Sequence, residues 1–531
     1  MTLMRALTVL WLLFHAASQV WHVRADLAPP AGDDGEYLRQ SYLYFNAFQQ
    51  GGIPALTREF SSALNGIKAP LIPLLPLPLY LLFGPSQDAA LLLNLALYYL
   101  LMGLVYRLGR RLSGESAGLL AVWITSTMPM LYGLSRQFYL EVPISFLVVL
   151  TLQLLIRASS LGSKLPWSFG LVMGLGLLAK TLYPVYVAGA LGRFYFRQWS
   201  TGRAPCVADL GAWFVACLIA GSWYHFHWQA VFWFGFSVAF GESARMYGRP
   251  ELPLARYWAE VVSEGLSWPH AYLLLSAVFL YLKAGPRQRG NSGGGELGML
   301  LISLLGTGLF FSAILNRTVR YWMPAAPLLA VLIASVIVKA GCSAGARFLI
   351  VAPALLLSVG QFTYLTFGDR CVWAVALYQP SKWVRPPKGA PPWDLESVSE
   401  WLSRGMEGER IRILVHTLRA DFNAFNLGAA AAKRQCSVQF LHMGPFSLEK
   451  ARERMKDDRY PCLLALRGPP HSELSPFLRR SEVVDLPERI ERGVEPPYHE
   501  IDRLQVSSGV YVGLYGAGRS CSAAQRRTEA F

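Results

Sequence analysis

Charge is scarce in this chain, and scarcest where the chain is most apolar. Of 531 residues, 16% are charged and 53% apolar, a balance that excludes an ordinary soluble globular protein. The shortage is uneven. Residues 1–369 carry 40 charged side chains, about 11% of that stretch, whereas the last 162 residues carry 43, about 27%. Cysteine is sparse too, with seven in the chain and none in C-x-x-C spacing, so neither a zinc site nor a dithiol redox centre is expected. Four of them, Cys371, Cys436, Cys462 and Cys521, fall in or just before the charged tail and read as isolated thiols. A P-loop, a G-x-G-x-x-G and any internal repeat are all missing, which removes the common nucleotide-binding and solenoid classes. The net charge of +15 would suggest nucleic acid for a soluble protein. In so apolar a chain it reads instead as Lys and Arg holding loops on the cytoplasmic side of a membrane, and no nucleic-acid partner is expected.

What is present is a series of apolar runs. Eleven approach or reach the length that crosses the hydrocarbon, at roughly 3–23, 88–107, 116–134, 138–157, 166–180, 182–197, 207–226, 268–283, 297–315, 321–339 and 346–367. The pair 166–180 and 182–197 is separated only by Lys180 to Pro184, but Lys164 before it and Arg193 and Arg197 at its end share one side only if the chain crosses twice. With Arg5 inside, Arg107, Arg110, Arg111, Arg157, Lys164, Lys283, Lys339 and Arg347 all fall inside as well. The segments 24–87 and 227–267 then lie outside, and so does the tail. Residues 370–392 read as a Pro-rich, extended linker. Residues 393–531 alternate turn signals with short apolar strands at 411–415, 462–466 and 510–514, with helices at Asp394–Arg404 and Leu448–Met455, and read as a soluble α/β domain. The expected architecture is a polytopic α-helical membrane body, residues 1–369, carrying a C-terminal α/β domain outside the membrane.

The outer loop 24–87 holds the densest run of acids, Asp33-Asp34-Gly35-Glu36-Tyr37. Tyr37, Ser41, Tyr44 and Phe48 follow at helical spacing, so a helix there can lie at the interface with an aromatic face toward lipid or the neighbouring spans. Three carboxylates within four positions are more than a helix N-terminus requires, although Asp33 or Asp34 is also a ready N-cap. His225 and His227 raise a metal, but two residues apart they diverge on a helix, and interfacial aromatics with polar tips account for them. No metal and no cofactor are expected.

Five segments in order carry a resemblance. Asp33-Asp34-x-x-Tyr37 resembles the Asp-Glu-x-x-Tyr of the first outer loop of GT-C fold glycosyltransferases of family 39 type, the protein O-mannosyltransferases and lipid A aminoarabinose transferases. Lys68-Ala69-Pro70-Leu71 is similar to that family's Lys-Pro-Pro-Leu. Arg136 to Pro143 resembles its segment ending in Asp-x-Pro, with Glu141 in place of the usual acid. Gly174 to Pro184 resembles its Gly-Leu-x-x-Leu-x-Lys-Gly-Pro, with three residues intervening before the proline. Arg320-Tyr321-Trp322-Met323-Pro324-Ala325-Ala326-Pro327 resembles its Arg-Tyr-x-x-Pro-x-x-Pro.

The resemblance implies transfer of a sugar from a polyprenyl-phosphate carrier to a lipid, polysaccharide or protein acceptor on the outer side, at a bacterial inner membrane. Asp33 then takes the acceptor proton and Asp34 orients it. Lys68, Lys180, Arg320 and Tyr321 are expected to hold the donor phosphate, and Glu141, Arg136 and Tyr37 to line the donor or acceptor site. Span-end snorkelling and interface anchoring are the plain alternatives for the cations. A transporter of lipid-linked saccharides is the competing class, but the pseudo-symmetric broken-helix pair that transporters use is not visible. A structural or assembly protein whose tail binds a partner is a third.

Overall fold

The computed structural model describes residues 2–30, 32–161, 164–202, 207–241, 243–244, 249, 251–283, 294–340, 342–368, 383–389, 394–403, 411–416, 419, 422–436, 438–442, 462–467, 486–492, 498–507 and 510–517. The chain forms two compact units. One comprises Met1–Ala25, Ser61–Leu75 and Leu91–Pro387; the other comprises Asp26–Phe60, Pro76–Ala90 and Lys388–Phe531.

The first unit is helical. Seven helices among the described residues are long and apolar enough to cross a membrane, or nine if two bent pairs each count as one span. One bent pair, Glu115–Ser126 with Pro129–Ser135, turns by 68° at a proline that starts the second helix. The other, Leu254–Leu266 with Trp268–Lys283, turns by 109° at Ser267, which has φ 77°. The remaining two expected spans are the helices Trp167–Ala179 and Tyr183–Ser200. They do not run on as one helix: Lys180 is extended, at φ −158° and ψ 133°, and Pro184 opens the next helix, where its missing N–H costs nothing. Small residues let helices close up. A Cβ on Gly170 would fall 2.1 Å from the Ala212 carbonyl oxygen and one on Gly174 2.7 Å from Ile219 Cβ, so Trp167–Ala179 lies backbone-close against Val207–Phe240.

Two boundaries differ from expectation. The helix Val207–Phe240 runs 34 residues, well past 226, because aromatic residues continue the apolar pattern to Phe240. Gly294 and Gly295, ahead of the span expected at 297–315, already belong to the helix Gly294–Ala313; residues 284–293 lie outside the described residues.

Several basic side chains meet at one end of this bundle. Arg5 pairs with Glu115, Arg111 lies 3.8 Å from Glu296, and Arg197 donates to Ser159 at 3.2 Å. These contacts bring the start of the first helix and the end of Gln87–Ser113 to one level with the ends of Glu141–Leu161 and Tyr183–Ser200, the side on which charge alone had grouped Arg5, Arg111 and Arg197.

The second unit contains a five-stranded sheet in the order β2-β1-β3-β5-β4. The strands are β1 (Ile411–Val415), β2 (Val438–His442), β3 (Cys462–Arg467), β4 (Tyr498–Ser507) and β5 (Val510–Ala517). β2, β1 and β3 are parallel; β5 and β4 continue the sheet antiparallel. The helix Leu395–Ser403 buries Leu395, Val398, Ser399 and Leu402 at amphipathic spacing. The crossover helix Ala424–Lys433 starts at a capping box formed by Asn423 and Asn426. The α/β reading of the tail is thus realised. The helix expected at Leu448–Met455 lies outside the described residues, whereas β2, β4 and the crossover helix had not been singled out. Cys462 is disulfide-bonded, which corrects the reading of isolated thiols; Cys436 is free.

Candidate active site

In the second unit the acidic motif opens the helix Asp33–Ser62, whose first turn holds Asp33, Asp34 and Glu36. Acids there complement the helix dipole. The helix bends at Gly51-Gly52, where Gly52 takes φ 60°. Its first half is docked on the C-terminal domain. A Cβ on Gly35 would lie 3.0 Å from the Phe425 carbonyl carbon and 3.2 Å from Asn426 N, and one on Gly428 2.9 Å from Arg39 Cδ. Asn46 Nδ2 donates to the Ala432 carbonyl at 2.8 Å. Contacts that advance in the same direction along both helices make the pair parallel. The positive ends of two helix dipoles therefore meet where the three carboxylates stand.

On the aromatic face Tyr37, Ser41 and Tyr44 are buried, with the Tyr44 ring 6.3 Å from that of Phe60, and the opposite face meets the α/β domain. Tyr42, also buried, lies 5.6 Å from the Tyr80 ring, and burial pushes both phenols above their ordinary pKa.

In the first unit three of the expected residues converge. Glu141 starts the helix Glu141–Leu161, Lys180 sits in the break between Trp167–Ala179 and Tyr183–Ser200, and Arg320 lies in the 3-10 turn Val319–Ala325. Pro324 and Pro327 keep that turn from becoming regular helix. Lys180 Nζ donates to Glu141 Oε1 at 3.0 Å, and Arg320 Nε lies 3.8 Å from the same oxygen. All three are buried, at 2%, 9% and 7% exposure for Glu141, Lys180 and Arg320. Glu141 Oε2 has no hydrogen-bond partner. Two buried cations thus share one carboxylate oxygen.

Aromatic rings enclose the two cations. The Arg320 guanidinium stands 4.6 Å from the Tyr139 ring centre, 5.0 Å from Trp383 and 5.2 Å from Tyr321, while Lys180 Nζ is 4.9 Å from Tyr321. Trp383 escaped the sequence reading. It lies in a proline-rich stretch without a motif, and its carbonyl is fixed by Gln137 Nε2 at 2.8 Å. The cluster occupies the end of the bundle opposite the Arg5 and Arg197 contacts: Glu141 and Ser159 bracket 18 residues of one helix, a rise of about 27 Å.

Arg136 is not brought into the cluster. Its guanidinium bonds the Gln19 side chain, the Leu365 carbonyl at 3.1 Å and Thr366 Oγ1 at 2.6 Å, tying the first span to the last. Lys68 is half-buried, in the segment after the turn Ala63–Gly66. His227 is bonded to the Ser61 carbonyl and His225 to the Gly221 carbonyl. Among the described residues no three His, Cys, Asp or Glu side chains are grouped to hold a metal.

Comparison with known proteins bears on the fold. The model of the family described as dolichyl-phosphate-mannose-protein mannosyltransferase matches residues 68–246, a segment that contains Lys68, Glu141 and Lys180 but neither Asp33 nor Arg320. ArnT from Cupriavidus metallidurans, solved with undecaprenyl phosphate bound, superposes with a TM-score of 0.55 at 14% identity, over 95% of this chain and 98% of its own. The chain has the GT-C fold. The GT-C likeness extends to the oligosaccharyltransferase AglB of Archaeoglobus fulgidus, in complex with an inhibitory peptide and a dolichol-phosphate, with a TM-score of 0.53 at 12% identity over 87% of this chain and 69% of that one. The arabinofuranosyltransferase AftD from Mycobacteria also shares it, with a TM-score of 0.53 at 14% identity over 96% of this GT-C chain and 40% of its own. At the level of sequence, no curated protein matches.

Proposed function

We propose that this multi-pass GT-C protein is a glycosyltransferase that moves a hexosyl or pentosyl group from a polyprenyl-phosphate donor to an acceptor outside the cytoplasm. The observation that carries the reading is the buried Glu141–Lys180–Arg320 cluster, in which two cations lie side by side at one carboxylate oxygen. Two cations held side by side in a buried site favour an anion, and a lipid phosphate is a ligand that suits them. Arg320 offers phosphate a planar pair of donors, Lys180 a point charge, and Lys68 a third cation. Glu141 keeps the two buried cations in place until the donor arrives.

The acceptor side of the reaction falls to the acidic motif. A sugar or lipid hydroxyl is a poor nucleophile, so Asp33 accepts its proton as the new glycosidic bond forms and the phosphate–sugar bond breaks. Asp34 and Tyr37 orient the acceptor. The donor phosphate leaves with the bonding pair, onto the cations. The disulfide at Cys462 favours an oxidising compartment, which supports an extracytoplasmic C-terminal domain and, in a bacterium, the inner membrane.

The test is transfer itself. Purified protein in lipid, given a radiolabelled polyprenyl-phosphate sugar and envelope extract, is expected to label an acceptor. Asp33→Asn is expected to lower the rate by about 10²–10⁴ while the protein still binds undecaprenyl phosphate. Unchanged transfer by that variant would remove Asp33 from the mechanism, and movement of the lipid across vesicles without transfer would favour a transporter.

A further inference from the structure

The turn before Lys68 is sterically unfavourable. Leu64, at φ 50° and ψ 36°, Asn65, at φ 56° and ψ 23°, and Gly66, at φ 69°, form three consecutive left-handed residues. For a bulky residue such as Leu this is a true outlier, and Leu64 is buried as well. Backbone of this kind persists only where its surroundings over-determine it. One such surrounding group is His227. Its Nε2 donates to the Ser61 carbonyl at 2.6 Å, on the near side of the turn. On the far side Gly66 lies against the same ring, and a Cβ added to it would fall 2.4 Å from Nδ1 and 2.8 Å from Cε1. The ring is itself held against the fully buried Trp223, with centroids 4.7 Å apart. Beyond the turn, Ile67 N closes on the Leu64 carbonyl at 3.3 Å, and Pro70 begins the short helix Leu71–Leu74. Lys68 therefore sits between a clamped turn and a helix start, with little backbone freedom.

We infer that His227 and Gly66 are positioning residues for Lys68: the imidazole clasps the left-handed turn so that the lysine is presented to the donor phosphate without first being ordered. This deepens the reading of Lys68 as a phosphate-binding cation and rests on it. An ammonium ordered in advance binds more tightly, because the entropy of fixing it is not lost on binding. The helix Val207–Phe240 gains a function in this way that its two histidines had left open.

Binding of undecaprenyl phosphate to the full-length protein in nanodiscs tests the inference, with Lys68→Ala, His227→Ala, His227→Gln, Gly66→Ala and the double variant Lys68→Ala/His227→Ala. Lys68→Ala is expected to weaken binding by about 10- to 100-fold, the worth of one charged hydrogen bond. His227→Ala and Gly66→Ala should lose most of that factor, and His227→Gln, whose amide N–H can reach the Ser61 carbonyl, should recover it. The double variant should bind no more weakly than Lys68→Ala alone. If the His227→Ala loss persists undiminished in the Lys68→Ala background, or if His227→Ala binds normally while Lys68→Ala does not, the clamp is wrong and Lys68 keeps its role. If Lys68→Ala binds normally, the reading of Lys68 itself falls and the clamp falls with it.

Discussion

Glu141 Oε1 accepts a hydrogen bond from Lys180 Nζ at 3.0 Å, joining the start of one span to the break between two others beneath the ring of Tyr321. A pair so buried is expensive to break by halves. Glu141→Gln removes the carboxylate that Lys180 and Arg320 share and should destabilise the protein by about 3–5 kcal/mol. The double variant Glu141→Gln/Lys180→Met should recover part of the loss. Thermal unfolding in detergent checks both, and a double variant less stable than Glu141→Gln would show that the pair is not the unit of stability.

Gly35, within the acidic motif, lies against the backbone of Phe425 and Asn426 in the C-terminal domain. Its missing side chain leaves room for the Phe425 backbone, which cannot move aside as a flexible side-chain end would. Gly35→Ala should part the two helices by a few tenths of an ångström. Transfer should then fall by about tenfold, because reacting groups tolerate little displacement, while undecaprenyl phosphate binding stays unchanged. Gly103→Ala, where a Cβ meets nothing within 4 Å, serves as the control. Equal activity in both variants would separate the helix docking from catalysis.

Acid should loosen the C-terminal domain through Glu396. Burial pushes its carboxyl pKa up, but hydrogen bonds from Lys433 and Arg434 outweigh that and hold it below the ordinary value of 4.5. A carboxyl depressed on folding contributes its stability fully above the unfolded value and loses it as pH falls through the folded one. Limited proteolysis followed from about pH 6 down to about pH 3 should show the helix Leu395–Ser403 becoming cleavable below pH 4.5, and Glu396→Gln should flatten that dependence. Asp394, held low by Ser397 and the Glu396 amide against the effect of burial, acts in the same direction.

Thiol labelling checks the orientation. Cys436 is free and half-buried, whereas Cys462 is disulfide-bonded. A membrane-impermeant maleimide applied to sealed spheroplasts should modify Cys436, and Cys462 only after reduction. Labelling of Cys436 solely after the membrane is opened would place the tail in the cytoplasm.

The membrane body, the break at Lys180, the α/β character of the tail and a short set of suspect residues are legible in the order of residues alone. These follow from local causes: the length of an apolar run, the missing N–H of Pro184, the alternation of apolar residues in strands, and acids gathered at one helix start. Which suspects meet emerges only once the chain is folded. Glu141 and Lys180 are 39 residues apart, and Arg320 and Trp383 come from still more distant segments, while Arg136, from the same motif as Glu141, is engaged by the first and last spans instead. The docking of Asp33–Ser62 on the helix Ala424–Lys433 was equally invisible, since Gly35 and Gly428 look like ordinary glycines until a second backbone lies against them. Local pattern records what each segment prefers, whereas the identity of its neighbours is set by many weak contacts summed across the whole fold.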